Sequence, residues 1–150
     1  MATISLSLEN LGDNLGAAVL RSRDLSRVLD KASKRHLRRV ERHFDNESSA
    51  GSISPPGGSW PDWSESYKKR RKSGKKLDLT GALRASIDYS VSGGNTLAIG
   101  SRVVYSRGHD LGNPDGNLPM RKFLSFHQED VDKTLNDCWE FILTGMVPNA

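Results

Sequence analysis

Four histidines, one cysteine and the basic run Lys68–Lys76 are the residues with chemistry to offer. His36 and His43 stand seven apart, so a helix would place both on one face. A zinc site needs three or four ligands, and no third one accompanies them at metal spacing. Gly74-Lys75 suggests a phosphate-binding loop, but Lys76 stands where Ser or Thr is required and Lys69 where the first glycine belongs. A calcium loop with Gly116 at position six would put Leu111 at position one and Lys122 at position twelve, where carboxylates are needed. His109-Asp110 has the composition of half a catalytic dyad, yet no Ser or Cys sits in a nucleophile motif. Cys138 lies on the apolar side of a helical pattern and reads as a small hydrophobe. The expectation is therefore no catalytic residues, no metal, no cofactor and no small-molecule substrate.

Charge is the stronger signal. The 150 residues carry 22 Lys and Arg against 18 Asp and Glu, net +4, with a sequence pI of about 9.4. The positives concentrate at 34–42 and in Lys68, Lys69, Arg70, Arg71, Lys72, Lys75 and Lys76. Such a run either faces an anionic partner or is a solvated loop held open by self-repulsion. A small basic nucleic-acid-binding protein is the alternative reading of this balance. Against it, no aromatic residues interleave with the run as a stacking platform would need. A single cysteine forbids an internal disulfide. No apolar stretch approaches the roughly 20 residues that span a bilayer, so no membrane role is expected, and the opening MATISLSLEN lacks the charge and apolar core of a secretion signal.

Several elements must position these residues. Ile4, Leu6 and Leu8 alternate with polar residues, which predicts a short strand broken over Asn10–Asn14. Leu25, Val28, Leu29, Ala32, Val40 and Phe44 recur at helical spacing, which predicts a long helix over 25–44 with Asp24 as N-cap. Residues 45–59 have linker composition and read as a flexible arm; 66–77 read as a basic linker. Trp60, Trp63 and Tyr67 would share one helical face, as a core cap or as a partner anchor. Residues 84–100 predict a β-hairpin turning at Ser92–Asn95. A short helix is expected over 103–111, a type I turn at Asn113–Gly116, and a third strand at 123–126. A final helix over 128–143 would bury Val131, Leu135, Cys138, Trp139 and Ile142. This is one α+β domain: a long N-terminal and a C-terminal helix packed on a small antiparallel sheet, with an extended arm.

Three stretches carry a likeness. The first runs from Pro56-Gly57-Gly58 through Trp60, Trp63, Tyr67 and the lysines to Leu77-Asp78-Leu79-Thr80-Gly81-Ala82-Leu83. The second is Ile99-Gly100-Ser101 followed by Tyr105-Ser106-Arg107-Gly108-His109-Asp110-Leu111-Gly112. The third is Pro119-Met120-Arg121-Lys122-Phe123-Leu124-Ser125. In this order the chain resembles the phage virion morphogenesis family, the tail-completion proteins of Mu-like and related tailed phages. Ser106 and Met120 stand where that family usually has alanine, Lys122 where it has proline, and Ser125 where it has glycine.

The resemblance implies a structural protein of the virion neck or tail top, assembled in the host cytoplasm. It implies completion of the tail and head–tail joining, as a homo-hexameric ring beside other neck, connector and tail proteins and near genomic DNA. It points to Trp60, Trp63, Tyr67, Tyr105, His109, Arg121 and Phe123 as an intersubunit or partner interface. Because positive charge lining a DNA conduit would retard DNA passage, the basic run is expected on an outer or intersubunit surface.

Overall fold

In the computed structural model the described residues are 8–47, 58–71 and 74–148. The proposed strand residues Ile4 and Leu6, most of the arm, and Lys72 lie outside them. Six helices and one hairpin follow in order: α1 (Leu8–Ser22), α2 (Ser26–Asn46), α3 (Glu65–Arg70), α4 (Ala82–Ala85), β1 (Ile87–Ser92), β2 (Thr96–Ser101), α5 (Ser106–Leu111) and α6 (Gln128–Thr144). The architecture is α+β, with α2 as its axis. The hairpin lies against α2, and α6 packs on α2 and on α1.

The apolar spacing that predicts α2 also selects its buried face. Val28, Leu29, Ala32, Val40 and Phe44 are buried, and His36 and His43 share that face. Asp24 is not the N-cap: Leu25 is, and the Asp24 carboxylate, one residue before it, accepts the Ser26 N–H at 2.9 Å. Asn10–Asn14 is not a break, because these residues belong to α1. α1 and α2 are separate helices joined at a corner. Gly94, in the hairpin turn, holds that corner: its carbonyl accepts the Leu25 N–H at 2.7 Å. Its φ of +75° and the 2.9 Å that would separate a Cβ from the Arg23 carbonyl leave room only for glycine.

The hairpin pairs Ile87 with Ser101 through Ser92 with Thr96, antiparallel. Its alternation turns Ile87, Tyr89 and Val91 inward, and the Tyr89 hydroxyl donates to the Asp30 carboxylate of α2. The core gathers Val40, Phe44, Trp60, Leu83 and Phe123, with Leu77, Ile87 and Leu124 packed against it. Phe44 meets Trp60 edge-on at 5.5 Å between ring centres.

Two further sequence expectations fail for identifiable reasons. Residues 123–126 form no strand. The Asp110 carboxylate takes the Phe123 and Leu124 N–H groups at 2.8 and 2.9 Å, so they have no donors left for a ladder there. In α6 only part of the expected apolar face points inward, with Val131 and Ile142 half-buried. Asp130, Asp137 and Phe141 are the buried residues of that helix, Cys138 is half-buried, and Leu135 and Trp139 are exposed. Arginines draw the aspartates inward. Arg39 of α2 grips Asp130 through two hydrogen bonds, at 2.7 and 3.1 Å. Arg35 bonds Asp137 at 3.1 Å and Thr134 at 2.9 Å. Buried carboxylates need such partners, and Asp130 and Asp137 have them, although the buried Arg35 Nε makes no hydrogen bond.

Candidate functional site

The three stretches that carry the family likeness meet at one open cleft of about 450 Å³. The first wall is built by the turn before α3 and by α3 itself. Ser64 caps that helix, accepting the Tyr67 N–H. The short helix then presents Tyr67, Arg70 and Arg71 beside Trp63. Trp63 and Tyr67 meet edge-on at 5.6 Å. The Arg71 guanidinium lies 5.0 Å from the centre of the Trp63 ring, and that of Arg70 lies 5.9 Å from the centre of the Tyr67 ring. Cations over aromatic faces are attracted by the ring quadrupole.

The floor and the opposite wall come from the other segments. Leu77, Leu79, Thr80 and Leu83 supply apolar surface, and Leu79 is 68% exposed at the mouth. Leu77 adopts a left-handed backbone, φ +59°, a conformation unusual for leucine; its side chain packs on the core. Tyr105 and His109, at the start and in the last turn of α5, meet edge-on at 5.9 Å. Leu118, Pro119 and Arg121 close the wall.

Arg121 fixes one wall to the other. Its guanidinium donates to the carbonyls of Pro61 and Asp62, both at 3.0 Å, and its N–H donates to the His109 carbonyl at 2.8 Å. Burial, then the Arg121 charge, holds His109 below the ordinary histidine range. The buried Nδ1 of His109 has no hydrogen-bond partner.

Five of the seven residues expected at an interface therefore line one cleft: Trp63, Tyr67, Tyr105, His109 and Arg121. Trp60 and Phe123 do not. Both are core residues of the protomer, and the Trp60 indole N–H is spent on the Lys122 carbonyl at 3.2 Å. Trp60 and Trp63 lie before α3, so the single helical face expected of Trp60, Trp63 and Tyr67 does not form.

The basic run divides in the same way. Arg70 and Arg71 line the cleft. Lys68 pairs with Asp62 and Glu65, Lys75 with Asp45, and Lys76 with Glu47, while Lys69 is exposed. The leucines of the cleft were missed as site residues. Their only sequence signal was the Leu77-Asp78-Leu79 spacing ahead of the Thr-Gly turn.

The His109-Asp110 pair is not a dyad, because the Asp110 carboxylate is committed to the backbone of Phe123 and Leu124. Among the described residues, no group of three His, Cys, Asp or Glu side chains is placed to hold a metal ion, and no helix is long and apolar enough to cross a membrane. Leucine surface, aromatic edges and guanidinium donors equip the cleft to receive an apolar side chain flanked by a carboxylate.

The sequence profile of the phage virion morphogenesis family matches residues 6–141. No curated protein and no solved structure matches the chain.

Proposed function

The chain belongs to the phage virion morphogenesis family, and from that premise we propose that it is a non-enzymatic subunit of the virion neck or tail top. It completes the tail and makes it competent to join the filled head, acting as a homo-oligomeric ring, with a hexamer as the expected closure. Its partners are copies of itself and the neighbouring neck, connector and tail proteins.

One observation carries the reading. The stretches that resemble the family converge on an open cleft whose lining suits protein recognition. A ring subunit needs a rigid body that presents such a surface to a neighbour, and the Arg35 and Arg39 pairs with α6 supply rigidity. The nucleic-acid reading has less support: three lysines of the basic run are paired with carboxylates of this chain, which lowers the positive field a phosphate backbone would meet.

Electron microscopy of lysates from a phage lacking this gene tests the role. Full heads beside separate tails of normal length are expected. Abnormally long tails would make the protein a length terminator instead, and normal infectious particles would overturn the proposal.

A further inference from the structure

The outward face of α6 is the least expected surface of the molecule. Leu135, Trp139 and Leu143 stand at i, i+4 and i+8, and are 56%, 62% and 69% exposed. Such spacing makes one continuous apolar ridge. Asp132 and Glu140 flank it on the same outer side, both exposed, with the exposed Lys133 the one base among them. Large apolar ridges rimmed by charge mark contact sites for other proteins, and tryptophan is prominent among interface anchors. No α6 residue lines the cleft, so ridge and cleft are two separate surfaces of one chain.

The two surfaces are complementary in kind. The cleft is concave, apolar and arginine-edged; the ridge is convex and apolar, and its edge carries more acid than base, Asp132 and Glu140 against Lys133. Neither suits itself: cleft against cleft would bring Arg70 toward Arg70, and ridge against ridge would bring Glu140 toward Glu140. Like charges brought together across an interface are unfavourable, whereas opposite ones select partner and register.

We propose that the cleft of each subunit receives the α6 ridge of the next copy of the chain, with Trp139 as the inserted anchor and Glu140 facing Arg70. The contact is head-to-tail, and a head-to-tail contact closes into a ring when its rotation permits. This inference rests on the reading that the protein acts as an assembly of its own copies, and it names the interface.

Sedimentation of the full chain tests it. The native protein is expected to form a species larger than a dimer. Leu79→Glu spoils only the cleft and Trp139→Glu only the ridge. Both side chains are exposed, so both variants should keep the native circular dichroism and melting temperature. Each alone should be monomeric, and an equimolar mixture should form a one-to-one dimer and nothing larger. Arg70→Glu and Glu140→Arg should each weaken assembly, and the two combined in one chain should restore it.

An oligomer retained by Leu79→Glu would mean ridge-to-ridge packing and overturn the proposal. So would a mixture that stays monomeric, or native mass in both variants, which would assign these surfaces to a different partner. A monomeric native chain would overturn this interface as well, while the lysate experiment would still judge the role in the virion.

Discussion

The Arg39 guanidinium holds the Asp130 carboxylate in a two-pronged grip, 2.7 and 3.1 Å, across the packing of α2 on α6. This pair explains why α6 faces the way it does. An amphipathic helix ordinarily buries its leucines, but here the partner helix offers arginines. Asp130 is almost fully buried, so removing it would leave the partly buried Arg39 guanidinium with only the exposed Glu129 as a partner. Asp130→Ala should therefore cost about 3 kcal/mol of unfolding free energy, the lower end of the range for a broken buried pair. Arg39→Met combined with Asp130→Leu should recover most of that loss, because the buried carboxylate and its main partner leave together and Glu129 is exposed. Urea denaturation of the two variants checks it, and a double variant no more stable than the single one would refute the argument.

Asp110 makes a second prediction. Its carboxylate accepts the N–H groups of Phe123 and Leu124, and Phe123 is a fully buried core residue. Asp110→Ala leaves two donors in or beside the core without an acceptor. Each orphaned donor costs roughly 1–3 kcal/mol, so a loss of about 3 kcal/mol is expected. Asp110→Asn keeps one acceptor oxygen and should fall between the two. Hydrogen exchange at the Phe123 and Leu124 amides reads the effect locally: they should exchange far faster in the alanine variant and at an intermediate rate in the asparagine variant.

Stability should also fall in mild acid. His127 is held below its ordinary value by burial, then by the Arg39 charge, with Arg42 adding to it and Asp130 and Glu129 opposing. His36 is lowered by burial first, with Arg35, Arg39 and His127 adding to it against Asp130. His43 and His127 meet through their Nε2 atoms at 3.0 Å, a contact that needs one neutral acceptor nitrogen. A base whose folded pKa is depressed binds its proton more readily when unfolded, so stability rises with pH. The stability is complete above the unfolded histidine value of about 6.5 and is lost as pH falls below it, by at most about 1.4 kcal/mol per pH unit for each histidine. Burial raises the Asp130 pKa, but the Arg39 hydrogen bond and charge lower it further, so the net shift is downward. Its contribution disappears only in the carboxylate range near pH 4. Urea midpoints at pH 7.5 and 5 should separate the windows. His127→Gln should shrink the difference between them, and an unchanged difference would remove His127 as a cause.

Much of the frame was legible because its signals are local. The spacing of Val28, Ala32, Val40 and Phe44 marks α2, and the alternation of Ile87, Tyr89 and Val91 with the glycine turn marks the hairpin. The errors arose where a distant partner decides. Nothing in the sequence near Phe123 shows that Asp110 will occupy its N–H. Nothing within α6 shows that Arg35 and Arg39 will draw its aspartates inward. The cleft was legible as residue types, since Trp63, Tyr67, Tyr105, His109 and Arg121 stood out by motif. It was not legible as a place, because its leucines become a surface only when segments around 63–83, 105–109 and 117–121 are brought together. Trp60 and Phe123 share the motif's conspicuous types, yet packing spends them in the core.

The basic run should separate into residues that hold the fold and residues that serve assembly. Lys76 is tied inward: its ammonium meets the Glu47 carboxylate at 2.9 Å, and its N–H donates to the same carboxylate at 2.6 Å. Lys76→Ala retains the backbone bond and should cost about 1 kcal/mol, the upper end for a partly exposed pair. Lys69 and Arg70 are exposed, so Lys69→Glu with Arg70→Glu should leave the melting temperature close to native. The same double reversal places negative charge at the mouth of the cleft, where an acidic partner is expected. Each 1.4 kcal/mol of lost contact energy is a tenfold change in binding, so infectious yield should fall by roughly tenfold or more, with unjoined heads and tails accumulating. Complementation of a gene-deleted phage by the two variants makes the comparison. Normal yield from the Lys69 and Arg70 reversal would show that these two charges contribute nothing to assembly.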